Sequence, residues 1–379
     1  MTIGFDGIRT VDGDSPLCYY DRLLISSLGM EYPRDTFMVY SPYSTDDRGM
    51  SWLLSIANVH NKTPYKAFNK WLWRNRGGIF TDFHRHGVKV FHGLDAVLPT
   101  GKNKEHVRMV NTVRDLTFKR LMDDYSWFDK INRKSRIKKA CRRADRVIAT
   151  SQFIKDQLVE NFHINAEKID VIYTAFRDEY LDIHNNAVFL NNVKAKYHMP
   201  SRFVLAVTHF SSLANLETLY RAFAKIKDKS IDLMLIGAKN DYYRHLKKLA
   251  AQLNIDERIV RVSSINKHNF MGAYSLAKAY VDASIDDGIG QTVIESLLTG
   301  TPTIASNSGC HLEVGGDAAF YFEPKDVDQL AKHLDMVLSC DEEKLQSIKD
   351  ASVKQASQFT QQALAQNVML TYNKARGKA

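Results

Sequence analysis

The feature that most constrains the fold is a regular alternation of short apolar segments with amphipathic, helix-like segments. In the second half of the chain the apolar segments lie at 203–210, 232–238, 279–284 and 301–306, with residues of helical periodicity between them. Two parallel strands need a long crossover connection, which is usually a helix. The alternation therefore predicts a parallel sheet covered by helices on both faces.

The first half repeats this pattern. Short buried strands are predicted at 35–42, 87–93, 107–113 and 145–151. A helix is predicted after Ser151, whose hydroxyl suits an N-cap position. The length of 379 residues also exceeds that of one ordinary domain. We therefore predict an α/β fold of two doubly wound, Rossmann-like domains that face each other across a cleft.

The predicted domain boundaries follow the polar interval between the two patterns. They give an N-terminal domain at 1–180, a linker at 181–200, a C-terminal domain at 201–355 and a C-terminal helix at 356–379. This last helix is expected to pack back on the body through its apolar side chains, Phe359, Leu364, Val368 and Leu370.

Composition excludes several classes of protein. No apolar run approaches the roughly 18–20 residues of a transmembrane helix. The first residues, MTIGFDGIRT, lack the basic start and apolar core of a signal peptide. The four cysteines are widely spaced without a CxxC pair, which argues against a disulfide framework or zinc site and fits a reducing cytosol. The expected localisation is cytoplasmic.

The stretch DDGIGQTVIESLLTGTP, residues 286–302, carries the strongest chemical signal. It follows the predicted strand at 279–284, so its loop lies at the carboxyl end of a parallel strand, where open α/β sheets bind ligands. The loop residues are Asp287, Gly288, Ile289 and Gly290. A helix begins near Gln291, and Glu295, one turn into it, can accept two hydroxyl hydrogen bonds, as a ribose diol would donate. The alternative is that Glu295 simply stabilises the helix N-terminus.

The combination of an acid, a glycine loop, a glutamate eight positions on and then Gly-Thr-Pro resembles the donor-site motif of glycosyltransferase family 4, in its mannosyltransferase-like group. The segments RADRVIATSQFIKDQL, EKIDVIYTAF and NLETLYRAF also resemble that family, so the likeness extends over nearly the whole chain. The resemblance implies a GT-B architecture. It also implies transfer of a hexosyl group from a nucleotide diphosphate sugar, with retained anomeric configuration and with no metal or other cofactor.

The resemblance further implies roles for particular residues. Asp287 would orient the donor sugar, and Glu295 would hold the ribose. His209 and Asn215 fall in the donor-phosphate motif, while Asp115 and His92 fall in the acceptor-domain segments. The acceptor would be a saccharide or lipid-linked saccharide, in surface polysaccharide assembly.

Four motifs depart from the family pattern. Asp287 stands where the family usually has Glu, and His209 and Ala214 stand where it has an Arg and a Lys that hold the pyrophosphate. Arg114 replaces a usual His, and SPLCYY at 15–20 replaces a glycine loop, with Pro16 and Cys18 removing backbone freedom.

These departures leave two interpretations of Arg114 and of the protein. In the first, Arg114 is a relocated catalytic cation that contacts the diphosphate from the other domain. In the second, it is a structural arginine paired with Asp115 or another carboxylate, and the chain is an inactive scaffold on a glycosyltransferase fold.

The net charge of +9 is concentrated in the first half, where residues 1–175 hold 28 Lys and Arg against 20 Asp and Glu. Two basic segments, 62–76 and 130–146, either form the solvated faces of helices or contact an anionic membrane on its inner face. Nucleic-acid binding is a third hypothesis, but no nucleic-acid motif accompanies these segments. No ligand set completes a metal site around His84, His86 and His92.

Overall fold

The computed structural model describes a defined part of the chain: residues 1–7, 10, 16–41, 52, 55–64, 73, 78–101, 107–119, 127–181 and 186–377. The chain divides into two compact units. The first comprises 1–118, 123–175 and 361–379, and the second comprises 119–122 and 176–360. Each unit is built around one parallel sheet.

The strands in chain order are β1 (Thr2–Asp6), β2 (Thr36–Tyr40), β3 (Val59–Lys62), β4 (Val90–Gly93), β5 (Arg108–Val113), β6 (Arg146–Ala149), β7 (Ile169–Val171), β8 (Phe203–Val207), β9 (Asp232–Ile236), β10 (Ile259–Val262), β11 (Ala279–Asp282), β12 (Thr303–Ser306) and β13 (Ala319–Phe322). The first sheet has the order β3-β2-β1-β4-β5-β6-β7, and the second has the order β10-β9-β8-β11-β12-β13. All these pairings are parallel, as predicted.

The α-helices in chain order are α1 (Pro16–Glu31), α2 (Gly78–Arg85), α3 (Trp127–Arg143), α4 (Gln152–Phe162), α5 (Ala187–Lys196), α6 (Leu216–Lys225), α7 (Asp241–Gln252), α8 (Lys267–Leu276), α9 (Gln291–Leu298), α10 (His311–Gly315), α11 (Val327–Leu338), α12 (Glu342–Ala356) and α13 (Gln361–Ala375). The N-cap predicted at Ser151 is confirmed, since its Oγ accepts from the Ile154 amide at 3.3 Å. In the described residues, no helix combines the length and the apolarity that crossing a membrane requires.

The C-terminal helix α13 belongs to the first unit. Leu364 and Val368 are buried in the core that β1 and α1 also form, and Phe359 just before the helix is buried as well. Leu370 differs from the prediction, because it lies on the outer face of the helix and is 47% exposed.

The predicted linker at 181–200 contains a helix of the second unit, α5. Its Val193 is buried and lies against Gly272 of α8, where a β-carbon on the glycine would come within 3.0 Å of the valine side chain. The amphipathic helix expected at 62–76 falls mostly outside the described residues. The basic segment 130–146 spans most of α3 and the start of β6.

The strand order of the second sheet contains a reversal point between its central strands, β8 and β11. The chain leaves β8 towards β9 on one side and returns to place β11 on the other side, so the sheet reverses its winding between β8 and β11. Ligands of doubly wound sheets bind at the carboxyl ends of the strands at such a reversal point. The loops after β8, β11 and β12 therefore form the natural site of this unit.

Candidate functional site

The loops that follow β8 and β11 are joined directly at the reversal point. The Ile285 amide donates to the Leu213 carbonyl at 2.9 Å, and the Asn215 side-chain amide donates to the Ala283 carbonyl at 3.0 Å. The structure thus brings together the predicted donor-side residues of two separate sequence motifs. His209 is exposed on the first of these loops.

Asn215 has a clear local role. Its backbone adopts the left-handed conformation with φ 52°, which asparagine tolerates better than most residues. Its amide also donates to the Pro324 carbonyl, and its Oδ1 accepts from the Thr218 hydroxyl at 2.8 Å. Asn215 therefore fixes the loop before α6 against the loops after β11 and β13, and its predicted contact with the donor stays a prediction.

Asp287 organises the glycine loop. Its Oδ1 accepts from the backbone amides of Ile289 at 2.9 Å and Gly290 at 3.1 Å, which closes the loop onto the start of α9. Gly290 has φ 70° and lies against Val314, where a β-carbon would come within 2.7 Å, so a side chain would not fit. The short aspartate side chain folds back on its own loop and is 24% exposed.

The turn at 308–310 supports Asp287 from inside the unit. The Cys310 amide donates to the Asp287 carbonyl at 2.9 Å. Gly309 has φ 63°, and a β-carbon there would lie 2.5 Å from that same carbonyl oxygen. Cys310 is fully buried, and burial raises the pKa of its thiol well above the usual range, so it is a packing residue.

Glu295 is half-buried on the second turn of α9. Its Oε1 accepts from the Gln291 side-chain amide at 2.9 Å, which orients the carboxylate along the start of the helix. Burial raises the pKa of the neighbouring Tyr274 well above its usual range, and the charge of Glu295 adds to this effect. Helix α9 therefore places Gln291 and Glu295 next to the glycine loop, as predicted.

The sequence did not predict the role of His311. This side chain is fully buried on α10, with Nε2 3.7 Å from Asp287 Oδ2 and 3.8 Å from Asp282 Oδ1. Within the described ranges, these three side chains are the one group of His, Cys, Asp and Glu with donor atoms all within 4.8 Å of one another. Asp282 ends β11, and its two oxygens already accept from the side chains of Tyr280, Ser284 and Thr292.

The charges of this trio depend on one another. Burial opposes protonation of His311, but Asp282 and Asp287 outweigh it and raise the pKa of the imidazole to about 9. Burial in turn opposes ionisation of Asp287, but His311 and the two loop amides outweigh it and lower the pKa of that carboxyl. Nothing in the local sequence signals this, because His311 is 24 and 29 residues from its partners.

Arg114 follows β5 in the first unit, and its side chain is 1% exposed. Its Nη1 lies 2.9 Å from Asp21 Oδ1, its Nη2 lies 3.8 Å from Asp95 Oδ1, and its guanidinium stacks 5.0 Å from the Tyr20 ring centroid. This environment fits the second interpretation of Arg114, a structural arginine, and its partner is Asp21 rather than Asp115. Asp115 is exposed, and its Oδ1 accepts from the Thr117 amide at 2.6 Å.

His92 lies on β4 and is fully buried. Nδ1 is 2.7 Å from the Tyr372 hydroxyl and Nε2 is 2.6 Å from the Thr112 hydroxyl. Burial and then the charge of Arg114 lower the pKa of His92 to about 3. Both ring nitrogens are thus engaged inside the unit, and the acceptor-side role of His92 stays a prediction. Cys18 is likewise fully buried at the start of α1.

Comparison with protein families gives two matches along the chain. Residues 39–180 match the family described as Glycosyltransferase Family 4, and residues 191–355 match the family described as Glycosyl transferases group 1. The two matches fall in the first and second halves of the chain, and the second includes the reversal-point loops.

Two curated relatives are mannosyltransferases by name. The serotype-specific mannosyltransferase WbdA of Escherichia coli is 23% identical over 223 residues, which are 58% of this chain and 27% of WbdA. The O-antigen chain mannosyltransferase RfbU of Salmonella typhimurium is 24% identical over 201 residues, which are 53% of each chain. The chain therefore spans from about a quarter to about half of the length of these relatives.

Two solved structures share the whole fold. A glycosyltransferase from Rickettsia africae has a TM-score of 0.76 at 18% identity, over 100% of this chain and 99% of its own. Anabaena HepE in complex with UDP-glucose has a TM-score of 0.73 at 16% identity, over 99% of this chain and 100% of its own. These likenesses confirm the predicted fold class, two Rossmann-like domains of the GT-B type.

Proposed function

Because the chain belongs to glycosyltransferase family 4, we propose that it transfers a hexosyl group, most closely a mannosyl group, from a nucleotide diphosphate sugar to a saccharide or lipid-linked saccharide. The named relatives WbdA and RfbU support mannose and an O-antigen setting, which is surface polysaccharide assembly. HepE, crystallised with UDP-glucose, supports a nucleotide sugar as donor.

One observation carries the proposal. At the reversal point of the second sheet, the partly exposed side chain of Asp287 and the half-buried Glu295 lie at the start of one helix, α9. Glu295 would accept hydrogen bonds from the ribose hydroxyls, held in place by Gln291. Asp287 would use Oδ2 towards the donor sugar, since Oδ1 holds the amides of Ile289 and Gly290.

We propose a retaining reaction that needs no metal. In this scheme the departing diphosphate lies against the amino end of α9, where the helix dipole favours negative charge. His209, exposed on the neighbouring loop, would contribute to phosphate binding when protonated. The acceptor hydroxyl would attack on the face from which the phosphate departs and transfer its proton to a donor phosphate oxygen.

A second candidate function is an inactive scaffold that keeps the fold. The buried pairing of Arg114 with Asp21 favours it, because this cation is engaged inside its own unit and Ala214 supplies no charge in its place. Removing one preorganised charge-stabilising group typically costs about 3 kcal/mol of transition-state stabilisation. Donor binding separates the two functions, since a scaffold has no need to bind nucleotide sugars.

The test is calorimetry and thermal denaturation with UDP, GDP and their hexose conjugates. A ligand at a hundred times its Kd should stabilise the protein by about 2.7 kcal/mol. Glu295→Gln should weaken nucleotide binding about tenfold, through loss of a charged hydrogen-bond acceptor. The control is Glu257→Gln, an exposed change before β10 at the opposite edge of the sheet. If no nucleotide binds at millimolar concentration, the transferase proposal is rejected and the inactive scaffold remains.

We also propose a partner for the basic segment 130–146. Through α3, it would make peripheral contact with the anionic inner face of a membrane. This helix exposes Phe128 at 71% and Ile131 at 45% beside the exposed Arg133 and Lys134. Apolar side chains among basic ones suit a lipid interface.

The test of this contact is binding to lipid vesicles. Vesicles with about 30% anionic lipid should bind the protein, and the double variant Phe128→Ser with Ile131→Ser should lose this binding. Equal binding to uncharged vesicles, or salt-sensitive binding to nucleic acid instead, would contradict this contact.

A further inference from the structure

We propose that His311 is the positioning residue of this site: a doubly protonated imidazole that bridges Asp282 and Asp287 and so sets the carboxylate of Asp287 for the donor sugar. The inference deepens the proposed function and rests on it in one respect, namely that the ligand of Asp287 is a donor sugar. The cation itself follows from the atoms that face the two ring nitrogens, whether or not a donor binds.

Nδ1 of His311 carries a proton. It lies 3.0 Å from the Ser306 carbonyl oxygen, which is an acceptor only. The Ser306 hydroxyl is 3.1 Å from the same nitrogen, and it donates to the Ser284 carbonyl, so it too can only accept from the ring. These contacts anchor one side of the imidazole to the end of β12.

Nε2 of His311 also carries a proton. The atoms that face it are Asp287 Oδ2 at 3.7 Å, Asp282 Oδ1 at 3.8 Å and the Ser284 hydroxyl oxygen at 3.5 Å. The Ser284 hydroxyl donates to Asp282 Oδ1 at 2.6 Å, so it presents a lone pair to the ring. All three facing atoms are acceptors, so a neutral Nε2 would direct its lone pair at oxygen lone pairs, whereas a protonated Nε2 is attracted by both carboxylates.

The resulting cation is needed for charge balance. Two carboxylates approach each other around a fully buried ring, and buried charges persist only when they are paired. The raised pKa of His311, to about 9, agrees with this arrangement. Without the proton, Asp282 and Asp287 would repel, and Asp287 would lose the contact that turns Oδ2 while Oδ1 holds the loop.

The pH dependence has a defined sign. The pKa of His311 is raised above its ordinary value, so the stability from this cluster is complete below about pH 6.5 and is lost as the pH rises through 9. Other titratable groups around the ring are Tyr280 and Cys310, whose pKa values burial raises, then Tyr321, which donates to the His311 carbonyl, and Glu313 on the same helix.

The first experiment observes the proton directly. In the full-length protein labelled with 15N-histidine, His311→Gln identifies the His311 signals, and His245→Gln, an exposed residue, is the control. Both His311 nitrogens should be protonated at pH 7 and should titrate near pH 9. A single neutral tautomer at pH 7, or stoichiometric zinc binding that shifts both ring signals, would overturn the proposal.

The second experiment tests positioning through charge balance. His311→Gln should weaken nucleotide-sugar binding about tenfold at pH 7, while the native protein should lose the same factor between pH 7 and 10. The double variant Asp282→Asn with His311→Gln removes the repulsion and should recover part of the loss. A merely structural histidine would instead lower Tm without making the affinity of the native protein fall with pH.

The two readouts separate failure of this inference from failure of the proposed function. If no nucleotide sugar binds the native protein, the proposed function fails. His311 is then tested by the protonation of its ring at pH 7. A second test is whether the Tm of the native protein falls more steeply than that of His311→Gln between about pH 6.5 and 9. Equal slopes of the two proteins would refute the bridging cation.

Discussion

Two fully buried histidines, one in each unit, have pKa values shifted in opposite directions. Burial and the charge of Arg114 lower the pKa of His92 to about 3, and its neighbours Tyr372 and Thr112 offer hydroxyls that accept or donate. Two carboxylates raise the pKa of His311 to about 9 against the effect of burial. The comparison shows that, at equal burial, the neighbouring charges decide whether a core histidine is neutral or cationic.

The same contrast holds for the two regions as wholes. The first unit buries Arg114 against Asp21 beside β5, and this closed pair has the character of a stabilising contact. The second unit keeps the side chain of Asp287 partly exposed at the reversal point, as a binding site requires. Two sheets of the same winding thus use buried charge differently, and four substitutions test this, ordered by expected effect.

The largest effect is expected from Arg114→Ala. It leaves the carboxylate of Asp21 buried without its cation, which should lower the free energy of unfolding by about 3–5 kcal/mol. The control is Arg108→Ala, whose half-exposed pair with Asp145 should contribute less than about 1 kcal/mol. Urea denaturation measures both. Similar losses would mean that the first unit does not depend on this buried pair.

The next effect is expected from His92→Gln, which tests how the free energy of unfolding decreases at acid pH. The pKa of His92 lies below its ordinary value, so the unfolded chain binds a proton first as the pH falls below about 6.5. Stability should then fall by about 1.4 kcal/mol per pH unit towards pH 3, and the glutamine should remove that slope. Tm measured between pH 7 and 4 is the readout. Parallel curves would show that His92 is charged and would break the contrast with His311.

A smaller effect is expected from Gly309→Ala, because both strain and a clash act there. Its φ is 63° and its β-carbon would lie 2.5 Å from the Asp287 carbonyl oxygen, so unfolding should become easier by about 2–3 kcal/mol. Gly87→Ala is the matched control, with φ 65° and no atom within 4 Å, and should cost about 1 kcal/mol. The difference between the two isolates the support given to Asp287.

The smallest effect is expected from Asp287→Glu, which restores the family's usual residue. The longer side chain cannot accept from both Ile289 and Gly290 as Oδ1 now does, so the loss should be about 1 kcal/mol. The exposed change Asp256→Glu is the control. A gain in stability would mean that the aspartate is not what closes the loop, and the description of the second region would need revision.

Much of the fold could be predicted from local patterns. The strands at β8, β9, β11 and β12 are continuous apolar runs, because both faces of a parallel sheet are buried. The polar edge strand β3, with His60, Asn61 and Lys62, was missed for the same reason, since an edge strand with partly exposed residues shows no such run. The strand β13 was also missed.

The sequence alone determined the alternation that makes two parallel sheets, and it determined the glycine loop that begins α9 with Glu295 one turn on. These features depend on neighbouring residues, so short-range periodicity and turn chemistry are sufficient for them.

Only the tertiary structure decided which distant charges meet. Arg114 reaches Asp21 across the first unit, and His311 lies between Asp282 and Asp287 because β11 and β12 are neighbours whose carboxyl ends coincide. The charge state of a buried group depends on atoms within a few ångströms in space. Chain separation carries no information about those distances, and so the cation at this site becomes visible only in the folded protein.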